Sequence, residues 1–259
     1  MSDIQYGSRI MLAPDKVYLI GDVHNEADKL QNLLDKIEPI LGINDHIVFC
    51  GDLFDRGGQS AETLITLIDL AKRYPDQVFF IHGNHDWMLQ HYLTTGKHDW
   101  LGWLKITLEG WQELWKLPNI KPLTISKALS DNGFLEISTR IAPYYETKDI
   151  IATHAPIDKV VVAMRGGDTY QLAYANRMND PNFEYLLDRM EYEIKWSFTN
   201  EKYTIPCIDK FRVCGHQYSS GTTPRIFADR AFIDTGCGLK KPNPITCLIF
   251  PGKKYLQGK

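Results

Sequence analysis

The sequence predicts an α/β fold whose strands end at one polar edge. Three short apolar runs each lead into a glycine followed by Asp or Asn, and a helical pattern follows each of them. Continuous apolar strands that alternate with helices are typical of a parallel sheet buried on both faces. In such a sheet the loops after the carboxyl ends of the strands meet in one crevice. We therefore expect the polar residues that follow these runs to lie close together.

Each of the three units pairs a strand with a helix. The first unit places strand 17–20 before a helix whose apolar residues recur at the spacing of one helix face: Leu30, Leu33, Leu34 and Ile37. The second places strand 47–50 before a helix from about Ala61 to Tyr74. The third places strand 78–81 before a helical start at Trp87. These units form one half of the predicted fold.

The middle of the chain, from about 87 to 131, predicts two or three helices. A stripe of aromatic and aliphatic residues recurs there at helical spacing, although Gly102 and Gly110 interrupt the pattern. One interpretation is a helical cap that packs on the sheet. The alternative is that some of the tryptophans face the crevice and stack on a base or an aromatic substrate.

Strand patterns return after about residue 149 and predict a second sheet. The apolar runs are 150–153, 212–214, 231–233 and 246–250. A polar helical segment is predicted between them, from Arg165 to Trp196. No repeat, low-complexity run or Pro/Gly-rich linker divides the 259 residues, which favours a single domain over 1–259.

Composition excludes several classes of partner. The net charge is -3, so no general positive field exists for stable binding of nucleic acid. No stretch approaches the roughly 20 apolar residues that cross a bilayer, and the first residues lack the order of a signal peptide. We therefore expect a cytoplasmic protein without membrane contact. The five cysteines form no C-x-x-C pair, which disfavours a disulfide framework or a structural zinc site.

Nitrogen and oxygen donors stand at the ends of the predicted strands. They are Asp22, His24, Asp52, Asn84, His154 and His216. A mixed set of carboxylate, amide oxygen and imidazole suits manganese, iron or zinc better than calcium or a thiolate site. Two divalent ions carry a formal charge of about +4, of which two carboxylates remove about 2, leaving a pocket that attracts a phosphate dianion. Six ligands for two ions also leave coordination positions open, as in catalytic sites.

The motifs that contain these residues resemble a known family. They are GDVH at 21–24, GDLFDRG at 51–57, GNHD at 83–86, THA at 153–155 and CGH at 214–216. Together they resemble the phosphoprotein phosphatase branch of the calcineurin-like metallophosphoesterases, in particular bacteriophage and bacterial serine/threonine phosphatases. The likeness covers about residues 16 to 250. It implies two mixed β-sheets packed as a sandwich and flanked by helices, with a helical cap insertion at about 87–131.

The resemblance implies a role for each ligand. Asp22 and His24 would hold the first ion, Asp52 would bridge the two ions, and the second ion would be held by Asn84, His154 and His216. Manganese(II) is the expected metal, with iron or zinc as alternatives. A hydroxide that bridges the ions would attack phosphorus in line, without a phosphoenzyme.

The resemblance also implies an acid and a phosphate clamp. His85 would be the general acid that protonates the leaving oxygen, and Asp55 would orient it and keep it cationic. Arg56 would bind phosphate oxygens, together with Asn84. Arg177 would be a second phosphate-binding arginine, a role for which Arg165 competes.

The predicted function is hydrolysis of a phosphorylated protein or a small phosphoester. The alternative within the same branch is a symmetrical diadenosine tetraphosphate hydrolase or a small-nucleotide phosphatase. A nuclease of the wider superfamily would carry Gly-His-x-His at the last loop, where this chain has Tyr218. A non-catalytic binding module would be expected to lack a ligand, His85 or Arg56, and the sequence retains all of them.

Overall fold

A computed structural model describes residues 3–6, 9–12, 14–156, 210–218, 221–240 and 242–259. The helical segment predicted at 165–196, and with it Arg165 and Arg177, lies outside these residues. In the described part, two mixed sheets are flanked by helices, which confirms the predicted fold class.

The strands are β1 (Asp3–Tyr6), β2 (Arg9–Leu12), β3 (Val17–Ile20), β4 (His46–Phe49), β5 (Val78–Ile81), β6 (Ile141–Ala142), β7 (Tyr144–Glu146), β8 (Ile150–Thr153), β9 (Phe211–Cys214), β10 (Arg225–Ile226), β11 (Arg230–Phe232), β12 (Ile245–Phe250) and β13 (Lys254–Gly258). One sheet has the order β13-β12-β3-β4-β5-β6, in which β3 to β6 are parallel and the two last strands of the chain are antiparallel. The other has the order β10-β11-β9-β8-β7-β1-β2, with β8, β9 and β11 parallel.

The central strands of the first sheet are buried on both faces, as the continuous apolar runs predict. Tyr18 and Ile20 of β3 pack into the core that the helices cover, whereas Val17 and Leu19 pack into the second core together with residues of the other sheet. This alternation follows from the two-residue period of a strand. Parallel β3, β4 and β5 therefore end at one edge, and the loops that follow them meet there.

The helices are α1 (Ala27–Ile37), α2 (Ser60–Arg73), α3 (Asn84–Thr95), α4 (Leu101–Leu114), α5 (Pro122–Asp131) and α6 (Leu135–Ser138). Helix α3 begins at Asn84, three residues before the predicted start at Trp87, because Asp86 accepts from the backbone N–H of Gly83 and caps this end. The helical region also extends beyond the predicted end at 131, to Ser138.

Helix α4 runs without a break through both glycines that weakened its prediction. At Gly110 a Cβ would lie 2.0 Å from Oγ of Ser60, so glycine allows α4 to approach α2 closely. None of the helices in the described ranges combines the length and apolar character that a membrane crossing needs.

Candidate functional site

The loops after the parallel strands bring together two groups of donor atoms that share Asp52. In one group are Asp22, His24 and Asp52, and in the other Asp52, His154 and His216, each group with its atoms within 4.8 Å of one another. Nε2 of His24 lies 3.7 Å from Asp22 Oδ2 and 3.5 Å from Asp52 Oδ2. On the opposite side, Nε2 of His154 lies 3.4 Å from Asp52 Oδ1. Asp52 thus stands between two clusters.

The two remaining predicted ligands lie in the same place. Oδ1 of Asn84 is 2.9 Å from Nε2 of His154. The backbone N–H of His216 donates to Oδ1 of Asp22 at 3.0 Å, and the rings of His154 and His216 have centroids 4.9 Å apart. The structure therefore brings all six sequence-predicted ligand residues to one edge, although they come from both sheets.

Unusual backbone conformations are concentrated in these loops. Positive φ angles occur at eight non-glycine residues of the described chain. Six of the eight belong to the site: His24, Asn25, Asp52, Asp55, Arg56 and His216. A non-glycine residue in this region is strained, and such strain is typical of functional sites. The surrounding hydrogen bonds have to hold these loops in place.

Glycines before the ligands allow the loops to approach closely. Gly51 has φ +92°, and a Cβ there would lie 2.7 Å from Nδ1 of His154. A Cβ on Gly83 would lie 2.3 Å from the backbone nitrogen of Asp52. Both glycines of the Gly-Asp and Gly-Asn pairs are therefore needed to pack one loop on the next.

Backbone carbonyl groups orient the two buried histidines of the clusters. Nδ1 of His24 is 2.9 Å from the carbonyl oxygen of Phe54, and Nδ1 of His154 is 2.7 Å from that of Cys50. A carbonyl oxygen can only accept, so each Nδ1 carries the hydrogen and each Nε2 faces the centre. This is the orientation in which a histidine binds a metal through Nε2.

The two Nε2 atoms face partners of opposite kind, a donor at His24 and acceptors at His154. Nη1 of Arg56 is 2.6 Å from Nε2 of His24, which accepts from the guanidinium. Nε2 of His154 faces two oxygen acceptors, from Asn84 and Asp52, and has to carry a proton to bond them. Burial lowers the pKa of His154, but Asp52 and its hydrogen bond outweigh burial and raise that pKa to about 9.

The carboxylates are buried and close to other negative groups. Burial raises the pKa of Asp22 well above its usual range, and the nearby Asp234 adds to the rise. Burial also raises the pKa of Asp52, but His154 and His85 outweigh it and hold that pKa well below the usual range. In this structure a guanidinium and a proton lie among the buried carboxylate oxygens and imidazole nitrogens of the clusters. The same donor atoms fit divalent cations in chemistry and spacing.

A second histidine arrangement lies beside the clusters. Nδ1 of His85 is 2.9 Å from Oδ2 of Asp55, and its Nε2 is 4.0 Å from Oδ2 of Asp52. The hydroxyl of Thr107 donates to Oδ1 of Asp55 at 2.9 Å and accepts from the backbone N–H of Asp55 at 3.0 Å. Arg56 reaches this side as well, with Nη2 3.1 Å from Nε2 of His85.

The match to a family of known proteins agrees with this geometry. Residues 15–191, well over half of the chain, match the family described as calcineurin-like phosphoesterase. The chain belongs to the calcineurin-like phosphoesterase family.

Two relatives of the chain differ from each other in the activity that their names give. The chain is 37% identical over 70 residues to the serine/threonine-protein phosphatase 4 catalytic subunit of Eremothecium gossypii. This alignment covers 27% of this chain and 22% of the relative. The chain is 27% identical over 252 residues to the asymmetrical bis(5'-nucleosyl)-tetraphosphatase PrpE of Halalkalibacterium halodurans. This alignment covers 92% of this chain and 91% of the relative. The match spans about a fifth of the length of the serine/threonine phosphatases from Caenorhabditis elegans and E. gossypii.

A solved structure supports the fold of the chain. The cold-active protein-tyrosine phosphatase of a psychrophilic Shewanella species superposes with a TM-score of 0.60 at 20% identity, over 95% of this chain and 81% of that chain. At this level of identity the likeness concerns the fold alone.

Sequence reasoning missed the contacts of Asp86 beside the donor clusters. Its carboxylate accepts from the backbone N–H groups of Asp52, Leu53 and Gly83 at 2.9, 3.1 and 3.0 Å. Burial raises the pKa of Asp86 to about 6, with a contribution from Asp52. Asp86 therefore holds the strained Asp52 loop against the start of α3. Its place as the last residue of GNHD was the available signal.

Two further residues were missed. Thr107, which bonds Asp55 and accepts from the side-chain amide of Asn25 at 2.9 Å, is a polar position within the aromatic stripe of α4. Asp234 directly follows the run 231–233 and is buried beside Asp22, and burial raises the pKa of Asp234 to about 6. Its position at a strand end, as for Asp22 and Asp52, was a signal for the site.

Proposed function

We propose that the protein is a metal-dependent phosphoester hydrolase with a two-cation centre on Asp22, His24, Asp52, Asn84, His154 and His216. The observation that carries the proposal is the pair of donor clusters that share Asp52. The donors are nitrogen and oxygen atoms, which suit manganese(II), with iron and zinc as alternatives. When bound, two such cations would neutralise phosphate charge and make water nucleophilic at neutral pH.

The residues beside the clusters provide the acid. His85 would donate a proton from Nε2 to the oxygen that leaves phosphorus, so that the product leaves as an alcohol. Asp55 accepts from Nδ1 of His85 and would hold the ring with Nε2 free to face the leaving oxygen. Burial raises the pKa of Asp55, although His85 lowers it, so the pair forms a carboxylate-imidazole unit inside the protein.

Arg56 would bind the phosphate. Its guanidinium lies between the two histidine arrangements, 2.6 Å from Nε2 of His24 and 3.1 Å from Nε2 of His85. A cation on His24 would take the lone pair that the guanidinium now occupies, and the planar donors of Arg56 would then be available to phosphate oxygens. Asn84 would be a further phosphate contact. Arg177 stays a candidate from the sequence and lies outside the described residues.

The substrate class that we favour is a phosphorylated serine or threonine side chain of a protein. Similarity to the phosphatase 4 catalytic subunit of E. gossypii, at 37% identity over 70 residues, supports this. The second candidate is a dinucleoside tetraphosphate. The observation that favours it is the match to PrpE over 92% of the chain.

A panel of phosphoesters tests the proposal. Full-length protein is assayed with manganese on phosphopeptides, diadenosine tetraphosphate and p-nitrophenyl phosphate, with and without a chelator. We expect metal-dependent hydrolysis of p-nitrophenyl phosphate, and the preferred physiological substrate follows from the kcat/KM values. From diadenosine tetraphosphate, ADP alone would indicate symmetrical cleavage, whereas ATP with AMP would indicate asymmetrical cleavage. No hydrolysis of any phosphoester with manganese, iron or zinc would contradict the proposal.

His85→Asn tests the acid separately. We expect kcat to fall by about 10²- to 10⁴-fold on alkyl phosphoesters, whose leaving oxygen needs a proton. The loss should be much smaller on p-nitrophenyl phosphate, because p-nitrophenolate leaves without one. Equal losses on both substrates would show that His85 is not the acid.

A further inference from the structure

Trp103 lies in the first turn of α4, beside the proposed acid. Its ring centroid is 5.8 Å from that of His85, with 79° between the planes. The residue is nevertheless 55% exposed. Trp111 on the same helix is fully buried, and no other tryptophan of the described chain has a comparable exposure. A large apolar ring that contacts a catalytic group on one side and solvent on the other is a surface that can receive a ligand.

Helix α4 is held firmly in this position. Thr107, four residues after Trp103 and on the same helix face, bonds Asp55. The hydroxyl of Ser60 donates to the carbonyl oxygen of Thr107 at 3.2 Å, and Nε1 of Trp111 donates to the carbonyl oxygen of Ser60 at 3.0 Å. These contacts fix the register of the helix, so the indole of Trp103 has a defined place relative to His85.

The proposed hydrolysis determines which part of the substrate lies beside Trp103. In hydrolysis a water oxygen adds to phosphorus while the bond from phosphorus to the leaving oxygen breaks, and the leaving oxygen takes its proton from His85. An acid has to lie within hydrogen-bond distance of the oxygen that it protonates. The group attached to that oxygen therefore lies on the His85 side of the phosphate, where the exposed surface of Trp103 is.

We propose that Trp103 is a specificity-determining residue that binds a planar aromatic ring on the leaving-group side of the phosphoester. The inference rests on the proposed hydrolase function and names a feature of its substrate. It favours a dinucleoside tetraphosphate or an aryl phosphoester over serine and threonine phosphoesters, whose leaving groups carry no aromatic ring. The indole is flat, apolar and uncharged, so it makes more contact with a stacked ring than with a flexible polar chain. The aromatic ring can come from the base of a nucleoside or from an aryl ester, since both present the same planar surface.

Matched substrate pairs test the proposal. The first pair is adenosine 5'-monophosphate and ribose 5-phosphate, which release the same primary alcohol oxygen and differ by the base. The second is phenyl phosphate and methyl phosphate. For each pair the ratio of kcat/KM, aromatic over non-aromatic, is measured in the wild type, Trp103→Ala and Trp103→Phe with manganese. Leu114→Ala is the control, because Leu114 is an exposed apolar residue near the other end of α4.

We expect the ratio to fall roughly 10-fold in Trp103→Ala for at least one pair, which is within the range for loss of a stacked aromatic ring. Trp103→Phe should restore most of it, and Leu114→Ala should not change it. The pair that responds identifies the source of the ring. If both members of each pair fall equally, or neither ratio moves, the role of Trp103 is refuted while the hydrolase function stands. A wild type without activity on all four substrates and p-nitrophenyl phosphate would instead refute the hydrolase function, and the inference with it.

Discussion

His154 and His85 lie on opposite sides of Asp52 and differ in the group that holds Nδ1. A backbone carbonyl holds His154, whereas the carboxylate of Asp55 holds His85. A carbonyl fixes the hydrogen on Nδ1 and brings no charge, so Nε2 can lose its proton to a metal ion. The Asp55 carboxylate also fixes the hydrogen on Nδ1 of His85, but it places a negative charge beside the ring, the arrangement proposed here for an acid. The same side chain is thus suited to a ligand on one side and to an acid on the other.

The strongest test of this difference compares Asp52 with Asp55. We expect Asp52→Asn to lower activity by at least about 10³-fold and to weaken manganese binding, because both donor clusters share this carboxylate. Asp55→Asn should leave manganese binding close to wild type and slow only those substrates whose leaving group needs a proton. Calorimetric titration with manganese, alongside the two classes of substrate, checks both variants. Equal loss of metal binding in the two would remove the distinction between the sides.

The pH dependence of the free energy of unfolding, measured without metal, tests the His154 side of this comparison. The pKa of His154 is raised to about 9, above the ordinary value of 6.5, chiefly by Asp52 acting against burial. Its proton therefore stabilises the fold fully below pH 6.5, and this contribution is lost as the pH rises through about 9. We expect the free energy of unfolding to fall by about 1 to 3 kcal/mol over this window.

Chemical denaturation at several pH values between 6.5 and 9, in the presence of a chelator, measures this effect. His154→Asn should flatten the dependence. Manganese should bind more tightly as the pH rises over the same window, because binding displaces the proton from Nε2. A pH-independent manganese affinity would contradict the raised pKa.

The smallest expected effect concerns the support of the acid side. Thr107→Val removes a donor to Asp55 and an acceptor for the backbone of Asp55 and the amide of Asn25. We expect a loss of about 1 to 3 kcal/mol in the free energy of unfolding. The rate of hydrolysis of alkyl phosphoesters should fall about 10-fold, because Asp55, the partner of His85, is no longer held in place by Thr107.

Thr63→Val is the matched control. The Thr63 hydroxyl is also buried, and it has no hydrogen-bond partner in the part of the chain that the structure describes. The substitution should therefore leave stability equal to the wild type or slightly above it. If Thr107→Val behaved like Thr63→Val in both measurements, the hydrogen bonds of Thr107 would have no part in supporting the acid.

The sequence predicted central strands of both sheets because these strands are buried on both faces. The run at 78–81 coincides with β5, and the predicted strand 150–153 coincides with β8. Two of the strands that were missed lie at an edge of their sheet: β6 has two residues, and β13 has mostly exposed or half-buried residues. Such strands carry no continuous apolar run, because neighbours cover them incompletely.

The site was predictable where a ligand follows a strand. Asp22 and Asp52 stand directly after glycines that end apolar runs, and this local pattern is visible in the chain. Thr107 and Trp103 contribute through α4, which reaches the site only by packing against α2 and the Asp55 loop. Nothing local distinguishes one polar or one aromatic position of an amphipathic helix from the others, so these two roles needed tertiary structure.

The left-handed backbone at His24, Asp52 and His216 has a consequence for protein engineering. Each of these residues adopts a conformation that glycine or asparagine tolerates better, and two of them are also deeply buried polar groups. A library selected for heat resistance alone would accumulate replacements at these three positions before the rest of the sheet changed. Selection for stability alone would thus favour variants that are more stable but have lost activity. Selection for turnover in parallel would prevent this.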